Sequence, residues 1–134
     1  MILLLRLCGV LMLMLSALHL FFPRRFNWPE EFRSVSLLSR QMFYVHTGFV
    51  MLVVALNGLL YLCLAPDLVA PTRLSFALLG ACALFWGTRL VVQFAVYSPE
   101  LWRGKRFETS MHGAFSLLWV LFTVVPLAVL LRIA

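Results

Sequence analysis

Trp86-Gly87-Thr88-Arg89-Leu90-Val91-Val92-Gln93-Phe94-Ala95-Val96-Tyr97 closes one long apolar run, and after a basic turn Phe107-Glu108-Thr109-Ser110-Met111-His112 opens another. Arg89, Gln93 and Tyr97 stand at i, i+4 and i+8, and Glu108 and His112 are likewise four apart. Residues four apart share a helical face, so each run reads as a helix bearing one narrow polar stripe. Working outward, stretches at about 2–22, 41–64, 72–97 and 108–131 each supply the roughly 20 apolar residues that cross a ~30 Å hydrocarbon core. The chain has 134 residues, of which 63% are hydrophobic and only 12% charged, with a mean hydropathy of +1.00. A soluble domain of this size needs far more polar surface. The sequence therefore predicts an all-α membrane protein: a single domain, residues 1–134, folded as a four-helix up-down transmembrane bundle. Little chain remains for a separate soluble catalytic module.

The net charge of +6 is explained by topology rather than by nucleic acid. With four spans, the first and third loops lie on one side, and they carry Arg24, Arg25, Arg33 and Arg40, then Arg103, Lys105 and Arg106. The other side has Arg6, Arg73 and Arg132. The positive-inside rule puts both long loops in the cytoplasm and both termini on the periplasmic side of a bacterial inner membrane. The lipid bilayer is thus the first expected partner, with anionic headgroups drawn to the basic loops. A membrane-protein partner or a second copy of the chain is the next.

The first run is too long for a cleaved signal peptide and has no basic segment ahead of it, so a retained helix is expected. In the first loop, Asn27-Trp28-Pro29-Glu30 resembles a helix start with Asn27 as cap. Trp28, Phe32, Val35 and Leu38 follow at helical spacing, which predicts a short amphipathic helix on the membrane surface. Thr72 is placed to cap the third span, and Pro126 to kink the outer end of the fourth. Cys8, Cys63 and Cys82 are dispersed within spans and form no C-x-x-C, so they read as small core hydrophobes.

The three histidines come from three different spans. Counted back to the nearest basic residue, His19 lies about 7 Å from Arg24, His46 about 9 Å from Arg40 and His112 about 9 Å from Arg106, along their helix axes. All three fall at one level of the inner leaflet, with Gln93 at similar depth, Arg89 a turn deeper and Tyr97 at the rim. His19, His46 and His112, with Glu108 as a fourth ligand or base, make a candidate site for Zn, Fe or Cu. Alternatively His46 and His112 clamp a haem b iron, with Arg89 neutralising a propionate. The bland reading leaves each histidine bonded to a carbonyl or water. Arg89 costs at least about 2.5 kcal/mol in mid-membrane, so it needs partners, and Glu108 or a bound phosphate or carboxylate is the candidate anion. Metal-hydrolase, phosphate-loop, serine-elbow and nucleic-acid motifs are absent.

The runs Arg40-Gln41-Met42-Phe43-Tyr44-Val45-His46, Phe85–Phe94 and Phe107–His112 resemble those of small uncharacterised bacterial four-span inner-membrane proteins. That resemblance implies a bacterial inner-membrane setting and attaches no activity. Three readings follow. One is a metal or haem site doing redox or metal-assisted chemistry, in which Arg89, Gln93 and Tyr97 contact the cofactor. The second is a non-enzymatic accessory or scaffold subunit, and the third a quinone or lipid-headgroup pocket around Arg89.

Overall fold

A computed structural model describes residues 1–134 as 84% helix with no strand. In chain order the helices are α1 (Ile2–Leu18), α2 (Phe22–Arg25), α3 (Trp28–Glu31), α4 (Leu37–Cys63), α5 (Ala65–Leu68), α6 (Arg73–Ala95) and α7 (Arg106–Ile133). Single 3₁₀ turns at His19–Phe21 and Pro99–Leu101 complete the set. Four helical stretches are long and apolar enough to cross a membrane: Ile2–Arg25, Leu37–Cys63, Arg73–Ala95 and Arg106–Ile133. The protein is a multi-pass membrane protein of the all-helical class. Its outward-facing large apolar side chains, from Leu3 and Phe49 to Leu84 and Leu131, suit a hydrocarbon surround.

Helix ends follow local chemistry. Ser36 caps α4 by accepting the Ser39 backbone N–H at 3.3 Å, which starts that helix four residues before the sequence-predicted position 41. Thr72 caps α6 as expected, in a reciprocal capping box with Ser75. α6 stops at Ala95, ahead of Ser98-Pro99, where the residue before proline disfavours helix. α7 runs through Pro126 to Ile133.

The predicted surface helix is much shorter than its pattern suggests. Asn27 adopts a left-handed conformation (φ 49°) and makes no side-chain cap, and α3 ends after Glu31. Two of the apolar residues that looked like one stripe, Trp28 and Phe32, instead close on the first turns of α4, while Val35 and Leu38 stay exposed. Trp28 and Phe32 pack edge-on against Phe43 at 4.8 and 4.7 Å, and both also meet Tyr44. An aromatic cluster replaces a lipid-facing helix.

The chain groups into two compact units, Arg6–Leu64 and Met1–Leu5 with Ala65–Ala134. In the first, α1 and α4 approach at glycine. A Cβ on Gly9 would lie 2.7 Å from the Gly58 carbonyl oxygen and 2.9 Å from the Leu62 nitrogen. Two turns along, the Ser16 hydroxyl donates to the Met51 carbonyl at 2.9 Å. Small residues admitting close backbones, reinforced by a hydroxyl bridge, are how apolar helices associate without a hydrophobic driving force. In the second unit α6 packs along α7 through large side chains. Trp86 stacks on Trp119 at 5.5 Å and meets Phe122 at 4.8 Å, with all three rings buried.

Candidate functional site

The second unit carries its polar cluster where α6 and α7 approach the basic turn that joins them. Gln93 is its centre and is only 6% exposed. Its Oε1 accepts from the Trp119 indole N–H at 3.1 Å and from the Arg89 guanidinium at 3.2 Å. Two incoming N–H donors fix the oxygen on that side of the amide, so the Gln93 NH₂ faces His112, 2.8 Å from Nδ1. The amide can only donate there, so Nδ1 accepts and a neutral His112 carries its proton on Nε2. Trp102 stacks on the imidazole at 4.3 Å and Phe94 meets it edge-on at 5.7 Å.

Arg89 reaches along α6 toward the basic turn. Its guanidinium lies 4.6 Å from the Trp119 ring centre and 5.4 Å from that of Tyr97, eight residues on. Aromatic faces offset part of the cost of a cation held in low dielectric, and the direction is that of a snorkelling side chain. No ion pair joins Arg89 to Glu108; the ion pair in the protein is the exposed Arg33–Glu30 contact at 3.2 Å. Glu108 sits half-buried in the first turn of α7, where an acid suits the positive helix end. The anion expected for Arg89 is therefore not supplied by that carboxylate.

The structure brings together Arg89, Gln93, Tyr97 and His112 of the sequence-predicted residues. His19 and His46 belong to the other unit. His19 Nδ1 donates to the Leu15 carbonyl at 2.8 Å and His46 Nδ1 to the Met42 carbonyl at 2.7 Å, each one turn back on its own helix. That is the bland role weighed for them. No three His, Cys, Asp or Glu side chains gather in an arrangement that would hold a metal ion. The cysteines form no disulfide; Cys8 and Cys82 are buried, and Cys63 is exposed rather than in a core.

Two residues matter more than their sequence context suggested. Trp119 shares Gln93 with Arg89 while lying against the guanidinium, and Trp102 covers His112. Thr109 helps hold Trp102 by donating to its carbonyl at 2.6 Å. A readable cue was present: a buried tryptophan needs an acceptor, and Gln93 is an uncharged acceptor on the facing helix. A separate cavity lies at the opposite end of the same unit, lined by Val69, Pro71, Val129 and Arg132, far from this cluster in sequence and chemistry.

Comparison with protein families, with curated proteins and with solved structures gives no match.

Proposed function

We propose that this protein binds the head group of a membrane-embedded ligand, a quinone or a lipid, at Arg89, and that Gln93, His112, Trp119, Tyr97 and Trp102 form the cradle. The observation that carries the reading is a half-buried guanidinium with a neutral hydrogen-bond partner, aromatic faces beside it and no carboxylate. An intramembrane cation is costly and ordinarily pairs. A ligand that supplies the missing acceptor resolves that cost. A metal or haem is less well supported, because no gathered donor set is available to hold it.

In this reading the four spans run up and down as a bundle in a bacterial inner membrane, with the two basic loops cytoplasmic and both termini periplasmic. The support is the uneven distribution of Lys and Arg between the loops. The site then lies toward the cytoplasmic leaflet, open to ligands that diffuse in the bilayer.

Thermal unfolding in mild detergent tests the proposal. Added lipid or quinone should raise the melting temperature of the wild type and leave Arg89→Leu unmoved, with the variant still folded. Protection that survives in Arg89→Leu removes Arg89 from the site. A protein that no ligand protects, yet that co-purifies with another membrane protein, favours the accessory-subunit reading.

A further inference from the structure

Apart from the Tyr97 hydroxyl, which can donate or accept, the hydrogen-bonding capacity left over in the cluster has one sign. Arg89 has five N–H donors and uses one on Gln93. His112, accepting at Nδ1, is left with a donor at Nε2. The Trp102 indole N–H is buried and meets no acceptor. On the acceptor side, Gln93 Oε1 already takes two donors, and His112 Nδ1 takes the Gln93 amide. What remains is a set of donors in one cluster with a positive charge that no carboxylate neutralises. Such a set repels cations and binds an acceptor-rich anion. Arg103 and Lys105, exposed in the turn between α6 and α7, and Arg106, exposed at the start of α7, raise the local concentration of anions at the same end of the unit.

We infer that the ligand is a phosphate-type oxyanion, most simply the phosphodiester of an anionic phospholipid, and that Gln93 sets this specificity. The inference rests on the reading of Arg89 as a ligand-binding residue and sharpens it against a neutral quinone. Gln93 holds the guanidinium in place as a glutamate would, but without neutralising it, so the charge stays available to the ligand. A phosphate presents several acceptor oxygens to a planar fork of N–H groups, which is the geometry arginine matches best. The guanidinium extends toward Tyr97 and the basic turn, the direction in which a snorkelling arginine meets a lipid phosphate.

The test is thermal unfolding of the full chain in a neutral detergent, delipidated and then supplied with phosphatidylglycerol, with inorganic phosphate or with a short-chain quinone. Phosphatidylglycerol should raise the wild-type melting temperature by about 4 °C or more. A matching rise with inorganic phosphate would identify free phosphate as sufficient, and a rise with the lipid alone would identify the phospholipid. Gln93→Glu supplies an anion within the chain, so this variant should melt higher than wild type without ligand and lose the ligand-induced rise. Protection by the quinone alone, or a full lipid response in Gln93→Glu, overturns the oxyanion assignment while leaving Arg89 as a binding residue. Lipid protection retained in Arg89→Leu overturns the underlying reading instead. If Gln93→Glu does not fold, native mass spectrometry decides by counting phosphatidylglycerol retained on the wild type and on Arg89→Lys. Lys keeps the charge without the fork, and retention should fall at least several-fold; equal retention overturns the proposal.

Discussion

Gln93 on α6 donates to His112 Nδ1 on α7 at 2.8 Å, and because Trp119 and Arg89 fix the amide orientation, this contact sets the proton position of the imidazole. It is also a polar bridge between two helices whose remaining contacts are dominated by aromatic rings. Such bridges between membrane helices contribute less than their isolation in hydrocarbon suggests, because the unfolded chain in the bilayer finds other partners.

His112→Ala should lower stability by about 1–3 kcal/mol, the cost of leaving a buried amide N–H of Gln93 without an acceptor. Gln93→Leu should cost a similar amount by stranding the Trp119 N–H. Combined, the two changes should cost clearly less than their sum, because Gln93→Leu removes the amide that His112→Ala strands and His112→Ala removes the Nδ1 that Gln93→Leu leaves unpaired. Denaturant titration of the four proteins in mixed micelles measures the coupling. Strict additivity would mean that the contact is not formed.

Trp119 has two roles that substitution can separate. Trp119→Phe deletes the donor to Gln93 and keeps a ring, so about 0.5–1.5 kcal/mol is expected. Trp119→Leu also removes the surface that meets Trp86, Phe122 and Arg89, and about 3 kcal/mol or more should be lost. Thermal unfolding of both variants checks the order. Near-equal losses would assign the effect to the hydrogen bond alone.

Much of this architecture is legible in the sequence because the bilayer imposes a length and a polarity on each helix. Four apolar runs predict four spans to within a few residues, and Thr72 marks the start of α6. The first loop is less legible. Its apolar residues at helical spacing also fit an aromatic cluster, and only the tertiary contact with Phe43 decides between them. At the site, i+4 spacing puts Arg89, Gln93 and Tyr97 on one stripe and His112 on the facing helix. Spacing says nothing about rotation of one helix against another, so it favoured Glu108 as the partner of Arg89 where the fold uses Gln93 and Trp119.

The proposed orientation rests on loop charge and is open to direct reading. Alkaline phosphatase fused after Ala134 should be active, and the same reporter placed in the Arg103–Arg106 turn should be inactive. Moving the balance, with Arg103, Lys105 and Arg106 all changed to Gln, should produce a fraction of molecules with the reversed pattern. An inactive C-terminal fusion in a stably expressed protein would reverse the assignment of the two faces.

The crossing of α1 and α4 leads to the sharpest stability prediction. Gly9 and Gly58 bring two backbones so close that a methyl at either position meets a carbonyl oxygen at 2.7–2.9 Å, and backbone cannot swing aside as a side chain can. Gly9→Ala must therefore push the helices apart, which costs about 1–3 kcal/mol as overpacking and also stretches the Ser16–Met51 bridge. Gly48, by contrast, has open space where its Cβ would be, so Gly48→Ala should stabilise α4 slightly through better helix propensity. Removing the bridge alone with Ser16→Ala should cost about 0.6 kcal/mol. If Gly9→Ala unfolds no more readily than Gly48→Ala, the two helices do not cross at these glycines. If the loss is confined to Gly9 and Gly58, the crossing holds the Arg6–Leu64 unit together by backbone proximity, independently of the Arg89 site.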